Sequence, residues 1–145
     1  MRIDETVVID RPPEAVFALV ADLERTPEWQ GSLEGIELET DGPIRAHTRG
    51  TEIRSAGGRR LESQFEVTEL EPGRRLAIST RSGTAEADAT FDVVATDRGT
   101  RVTSTVDLRL RGVLRFIEAG LRGRIEQQTR DDLARLKRLA EGETS

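Results

Sequence analysis

The sequence predicts an α+β fold in which a long C-terminal helix lies over the concave face of a seven-stranded, curved antiparallel sheet. Three observations lead to this fold class. The segment from Met1 to Asp10 alternates between apolar and polar residues and is followed by two helix-start signals. Alternating segments separated by turn residues then run from Leu33 to Leu110. After Gly112 the apolar residues recur every three or four positions almost to the end of the chain.

The N-terminal region predicts one strand and two short helices. The strand is indicated by apolar residues that share one face, namely Ile3, Val7 and Ile9. Asp10 is suited to cap a helix whose first turn holds Pro12 and Pro13, because the fixed φ of proline fits that turn. Thr26 followed by Pro27 is a second start signal of the same kind.

The middle of the chain predicts six further strands joined by short turns, which leave no room for crossover helices and therefore favour an antiparallel sheet. The turns fall at Asp41-Gly42-Pro43, Gly57-Gly58, Glu71-Pro72-Gly73, Ser82-Gly83 and Asp97-Arg98-Gly99. The alternation assigns apolar residues such as Phe65, Ile78 and Phe91 to the concave face. It assigns four polar residues to the convex, solvent-facing side: Glu52, Glu62, Gln64 and Glu66.

The C-terminal region predicts one helix from about residue 113 to residue 141, roughly 43 Å long at the usual rise per residue. Its apolar stripe consists of Leu114, Ile117, Leu121, Ile125, Thr129, Leu133, Leu136 and Ala140. We expect a single domain over residues 1–142 and a frayed polar tail over residues 143–145.

Composition argues against several classes of function. The chain has 145 residues, no cysteine, one histidine and a net charge of −5, and aromatic residues make up only 3% of it. Thiolate and multi-histidine metal sites are excluded, and we expect neither a metal nor a cofactor. The acidic charge and the few aromatic side chains argue against nucleic acid as a partner. With no apolar segment of membrane-spanning length, we expect a cytoplasmic protein.

The order of elements and four local segments resemble the START-like superfamily, also called SRPBCC, and in particular its polyketide cyclase/dehydratase-like branch. The segments are Ile9–Phe17 leading to Asp22 and Trp29, Glu66–Pro72 followed by Arg75 and Leu76, Gly99–Thr103, and Leu133–Lys137. The resemblance implies the helix-grip fold and a cavity between the sheet and the long helix. In this superfamily that cavity binds lipids, hormones or polyketides, and only some members are catalysts, so the fold does not settle the function.

The residues expected to line such a cavity lie on the faces that meet between sheet and helix. They are Phe17, Trp29, Ser63, Phe65, Ile78, Thr80, Phe91, Val93, Ser104, Leu108, Leu114, Ile117 and Leu121. For each apolar member the alternative is an ordinary packed core. Trp29, the sole tryptophan, fits a cavity wall and a plug at one end of the core equally well.

His47 and Arg49 are the candidates for catalysis. If Ile53 points inward, both side chains do so as well, and His47 could move a proton while Arg49 stabilises an enolate or carboxylate. The alternative is that both lie in solvent at the end of a strand.

Gly112, Phe116, Gly120 and Gly123 share a second face of the C-terminal helix. Glycine inside a helix costs about 1 kcal/mol relative to alanine, so the pattern suggests a homodimer contact, a bend that opens the cavity, or local irregularity.

The leading hypothesis from the sequence is therefore the binding or carriage of a small hydrophobic ligand such as a lipid, isoprenoid or aromatic polyketide. The alternatives are a polyketide cyclase/dehydratase-type enzyme that uses His47 and Arg49, and an interaction module that uses the face of Gly112, Phe116, Gly120 and Gly123.

Overall fold

The computed structural model describes residues 1–56 and 58–142. Within these residues, seven strands form one sheet: β1 (Arg2–Ile9), β2 (Leu33–Leu38), β3 (Arg49–Ala56), β4 (Arg59–Glu71), β5 (Arg75–Arg81), β6 (Ala85–Thr96) and β7 (Gly99–Leu110). Their spatial order is β1-β7-β6-β5-β4-β3-β2, and neighbouring strands are antiparallel. Gly57 of the predicted turn and the predicted tail from Glu143 to Ser145 lie outside the described residues.

The helical part of the described chain comprises α1 (Pro13–Ala21), a 3-10 helix over Leu23–Glu28, a second 3-10 helix over Gly112–Ile117, and α2 (Glu118–Ala140). Together with the sheet, these elements confirm the predicted helix-grip fold. The C-terminal helix is shorter than predicted, because its first turns are 3-10 and the α-helical part spans 23 residues, about 35 Å. None of the helices in the described residues is both long and apolar enough to cross a membrane.

The predicted helix caps are wrong in detail. Pro12 occupies the N-cap position of α1, and no side-chain cap bond forms there within the described residues. The backbone N–H of Asp10 donates instead to the carboxylate of Glu141, 2.8 Å away at the other end of the chain. Thr26 lies inside the first 3-10 helix rather than before it.

The helix α2 lies along β1, which is an edge strand of the sheet. Arg122 donates to the backbone carbonyl of Arg2 at 2.9 Å, and Lys137 donates to that of Val8 at 3.1 Å. An edge strand leaves such carbonyls without a strand partner, and they attract further chains unless they are covered. Two cationic side chains of α2 therefore donate hydrogen bonds to two carbonyls of β1 that have no strand partner.

The hydrophobic core lies where α1, the loop after the first 3-10 helix and the C-terminal half of α2 meet the sheet. Trp29 is 2% exposed, and its ring meets that of Phe91 edge-on, with centroids 5.7 Å apart and an interplanar angle of 81°. Each large apolar side chain that is fully buried contributes about 1.5–3 kcal/mol. The best-buried members of this core are Ile9, Val16, Val20, Val67, Leu76, Val102 and Leu136.

Candidate functional site

The concave face of the sheet divides into two parts that differ in burial. One part, which we call the closed half, consists of the buried residues Val67, Leu76, Phe91, Val93 and Val102. The other, which we call the open half, continues the same faces of β5, β6 and β7 with the half-buried residues Ile78, Thr80, Ala87, Ala89, Val106 and Leu108. Side chains that face inward yet remain half-buried are accessible to water.

Different elements cover the two halves. Leu133 and Leu136 of α2 are buried in the core with Trp29 and the closed half. Nearer the N-terminus of α2, the inward stripe continues through Leu121 and Ile125, which are only half-buried. Leu114 in the second 3-10 helix is half-buried as well. We call the set formed by the open half and these three residues the open groove, because its apolar side chains are only half-buried.

The structure places the sequence-predicted ligand residues in three environments. Phe17, Trp29, Phe65, Phe91, Val93 and Ser104 are buried. Ser63, Ile78, Thr80, Leu108, Leu114 and Leu121 are half-buried at the open groove or at its border. Ile117 is 50% exposed and stands outside both groups. Contact of these side chains with a ligand remains a prediction, but those of the second group are accessible without unpacking the core.

Trp29 is buried against the closed half. Its ring packs against Phe91, and its indole N–H finds no hydrogen-bond partner among the described residues. Because the ring is almost fully buried, its position matches the plug of the two predicted roles rather than an accessible cavity wall.

The expectation that His47 and Arg49 point into the cavity is wrong. Both lie on the outer face, where their side chains are 80% and 65% exposed. A ring N–H of His47 donates to the Glu66 carboxylate at 3.1 Å, and Nε of Arg49 donates to its other oxygen at 3.2 Å. The hydrogen bond from His47 and then that from Arg49 hold the pKa of Glu66 below its ordinary value of 4.5. The cluster is a surface ion pair, remote from the open groove.

The inward residues of β3 are instead Gly50, Glu52 and Arg54, so the prediction that Glu52 faces solvent is also wrong. The pairing of Gly50 with Phe65 sets this register, and a Cβ at Gly50 would collide with the ring of Phe65 and the carbonyl of Glu37. Only glycine fits there. A glycine opposite a large aromatic residue is the sequence signal that could have identified the inner face of β3.

Glu52 and Arg54 form an ion pair on this inner face, with Nε of Arg54 donating to Oε1 of Glu52 at 2.9 Å. The guanidinium also donates to the side-chain oxygens of Ser32 and Gln30, each at 2.9 Å. The carboxylate is almost buried and the arginine is about one-third exposed. Four side chains from β3 and from the loop before β2 therefore form one polar wall.

Asp132 joins α2 to the same loop. Its Oδ1 accepts hydrogen bonds from the backbone N–H of Gly31 at 3.0 Å, from Gln128 at 2.8 Å and from Arg135 at 2.8 Å. Asp132 is 9% exposed. We call this contact the Asp132 clasp, and it fixes the position of α2 between the closed half and the open groove.

Two depressions in the described surface lie outside the open groove. A crevice of about 350 Å³ lies between α1 and the loop after β2, lined by Phe17, Ala21, Leu38, Ile44 and Leu70. Its lining combines these apolar side chains with the carboxylates of Asp22 and Glu24. The second, of about 430 Å³, is a polar hollow beside Glu66 and Arg81. Within the described residues, no three acidic or histidine side chains cluster as a metal site would require.

The second face of the C-terminal helix is exposed throughout. Phe116 is 80% exposed, and a Cβ at Gly120 or Gly123 would meet nothing within 4 Å in the described chain. Packing inside the protein therefore does not require these glycines. The predicted dimer contact and the predicted bend both remain hypotheses.

Comparison with known proteins agrees with this architecture. Residues 1–141 match the model of the family described as "Polyketide cyclase / dehydrase and lipid transport". An uncharacterised 17.2 kDa protein of Streptomyces lincolnensis is 28% identical over 97% of this chain and 89% of its own length.

Among solved structures, TTHA0849 from Thermus thermophilus has a TM-score of 0.84 at 20% identity, with complete coverage of both chains. The ZhuI aromatase/cyclase from Streptomyces sp. R1128 has a TM-score of 0.79 at 16% identity, and 97% of this chain and 93% of that one are covered. At these identities the two structures share the fold. The match over nearly the whole length shows that the chain belongs to the polyketide cyclase/dehydrase and lipid transport family.

Proposed function

We propose that the protein binds and carries a small hydrophobic molecule, lipid-like or polyketide-like, in the open groove. The observation that carries this proposal is the burial pattern of the concave face. Ile78, Leu108, Leu121 and Ile125 point inward like core residues, yet they remain half-buried. Covering 100 Å² of such surface contributes about 2.5 kcal/mol, so a ligand of modest size would gain several kcal/mol by filling the groove.

The ligand class follows from two sources. The walls of the open groove are mainly aliphatic, which favours a largely apolar molecule. The family description includes polyketide chemistry and lipid transport, and ZhuI is an aromatase/cyclase, so ligands of both types are reasonable candidates. Carriage is favoured over cyclisation through His47 and Arg49, because both side chains lie on the opposite face of the sheet.

The experiment places a bulky side chain in the groove by substituting an inward residue of the sheet. Ala87 is a half-buried inward residue of β6, and Ala87→Trp places an indole where the ligand would lie. Val94 is an outward residue of the same strand and is 48% exposed, so Val94→Trp is the matched control. The binding of the neutral fluorophore N-phenyl-1-naphthylamine is measured by titration for both variants and for the unmodified protein.

We expect Ala87→Trp to weaken binding of the fluorophore at least about tenfold, a loss of about 1.4 kcal/mol. Val94→Trp should bind as the unmodified protein does. Circular dichroism and thermal melting verify that both variants are folded. Equal affinity in all three proteins, or no binding by the unmodified protein, would refute the proposal.

A further inference from the structure

The polar wall formed by Glu52 and Arg54 lies on the same inner face of the sheet as the open groove, with β4 between them. In the pairing of β3 with β4, Glu52 is opposite Ser63 and Arg54 is opposite Leu61, so these four residues share the inner face. Leu61 is 44% exposed, Ser63 is half-buried, and the Arg54 side chain is 34% exposed. Arg54 is therefore accessible to a ligand, and the residues next to the pair on β4 are not buried.

The wall is held rigid before any ligand arrives. Arg54 is fixed at three points, by the Glu52 carboxylate, by Ser32 and by Gln30. A guanidinium has five N–H donors, and the contacts in the described part of the chain leave at least one of the Nη1 donors unused. Each carboxylate oxygen of Glu52 accepts a bond from Arg54 and has a further lone pair. The wall thus offers an unused donor at Nη1 of Arg54 and unused acceptor lone pairs on Glu52, which are separated by Nη2.

The pair has no net charge, and this determines which ligands fit. A hydroxyl group can donate to Glu52 or accept from Arg54. A ligand carboxylate is repelled by Glu52 and must compete with it for the guanidinium, and a like charge placed against a nearly buried group is strongly unfavourable. We propose that Glu52 and Arg54 select ligands whose polar end is a neutral hydroxyl or carbonyl group and exclude ligands that end in a carboxylate.

This inference rests on the proposed binding of a ligand in the open groove, and the experiment separates the two. Decan-1-ol and decanoate have the same chain length and differ at the polar end. Each is used at pH 7.5 to displace N-phenyl-1-naphthylamine from the unmodified protein, from Glu52→Gln and from Glu62→Gln. Glu62 is an exposed outward residue of β4, so its change removes the same charge without touching the wall.

We expect the unmodified protein to bind decan-1-ol at least about tenfold more tightly than decanoate. Any apolar groove favours an alcohol to some degree, so the decisive quantity is the change in this ratio. In Glu52→Gln the guanidinium loses its counter-charge, and the ratio should fall at least about tenfold, while Glu62→Gln keeps the ratio of the unmodified protein.

Failure of the selectivity and failure of the binding function give different results. A ratio that is the same in Glu52→Gln as in the unmodified protein, or that falls equally in Glu62→Gln, overturns the selectivity and leaves the binding function standing. If decanoate binds as tightly as decan-1-ol to the unmodified protein, the selectivity is also overturned. This comparison does not depend on the folding of any variant. If neither compound nor the fluorophore binds, the binding function fails and the selectivity fails with it.

Discussion

Along β5, β6 and β7 one face of the sheet is sealed at one end and accessible at the other. Leu76, Val93 and Val102 are buried, whereas Ile78, Ala89 and Val106, further along the same three strands, are half-buried. The residue types in the two halves are similar, so hydrophobicity does not explain the contrast. The difference lies in what covers each half.

The closed half is covered from three directions, by α1, by Trp29 and by the C-terminal half of α2. The core that covers the closed half does not include the first turns of α2 or the 3-10 helix before it, whose side chains are half-buried or exposed. One part of the concave face therefore supplies stability, and the other is the part where we propose that a ligand binds. Three experiments test this division.

The largest effect is expected from truncating the same residue type at the two ends of α2. Leu136 is 0% exposed against the closed half, and Leu136→Ala should lower the free energy of unfolding by about 2–5 kcal/mol. Leu121 is half-buried, and Leu121→Ala should cost about 1 kcal/mol or less. Urea denaturation of both variants measures the difference. Equal losses would mean that the two halves are equally packed.

A smaller effect is expected at the boundary between the halves. Asp132→Ala removes the acceptor of three hydrogen bonds and leaves the Gly31 N–H unsatisfied, which should cost about 1–3 kcal/mol. Asp131, the exposed neighbour, accepts one surface bond from Gln127. Asp131→Ala should therefore change the free energy of unfolding by no more than about 0.5 kcal/mol. Similar losses in the two variants would show that the Asp132 clasp is not needed.

The smallest effect concerns the end of α2 beside the closed half. The hydrogen bond from the Asp10 backbone N–H and then that from Lys137 hold the pKa of Glu141 below its ordinary value of 4.5. A lowered pKa in the folded state adds stability that is complete above the ordinary value and is lost as the pH falls through the lowered one.

Glu141→Gln should therefore be less stable than the unmodified protein from pH 7 down to about pH 5, and the difference should shrink as the pH falls below 4.5. Urea midpoints at about pH 7 and about pH 3.5 measure it. A difference that grows at the lower pH would contradict the assigned contacts.

The alternation of the sequence predicted the inner face correctly where large apolar residues mark it. In β4 to β7, residues such as Phe65, Leu76, Phe91 and Val102 fix which side of each strand faces the core, because a shift by one residue would expose all of them. The seven strands and the long helix followed from the same patterns.

The inner face of β3 could not be read in that way. Ile53 is the only large apolar residue of that strand, and it points outward, so alternation based on it assigned His47 and Arg49 to the wrong side. The length of the hairpin between β3 and β4 is a better predictor of the inner face of β3. Ala56 pairs with Arg59, so only two positions separate the strands, and that length fixes Gly50 opposite Phe65. For β3, the register set by the turn length therefore predicts the inner face better than the alternation around Ile53 does.

The packing of α2 against β1 also escaped the sequence patterns. Glu5 is a charged residue between Ile3 and Val7 on the inward face. Its carboxylate oxygen Oε1 lies 3.1 Å from Nε of Arg130, which is 125 positions away in the chain. No local pattern joins residues so far apart in the chain. Such contacts depend on where the helix lies over the sheet, which only the folded structure supplies.

The central claim is that a ligand occupies the open groove and leaves the closed half unchanged. Methyl NMR during titration with N-phenyl-1-naphthylamine tests it directly, because the aromatic ring shifts the signals of the methyl groups it touches. We expect shifts at Ile78, Leu108, Leu121 and Ile125, with those of Val16, Val67, Val102 and Leu136 unmoved. Shifts confined to this second set, or to Leu23, Leu38 and Leu70 at the crevice beside α1, would contradict it.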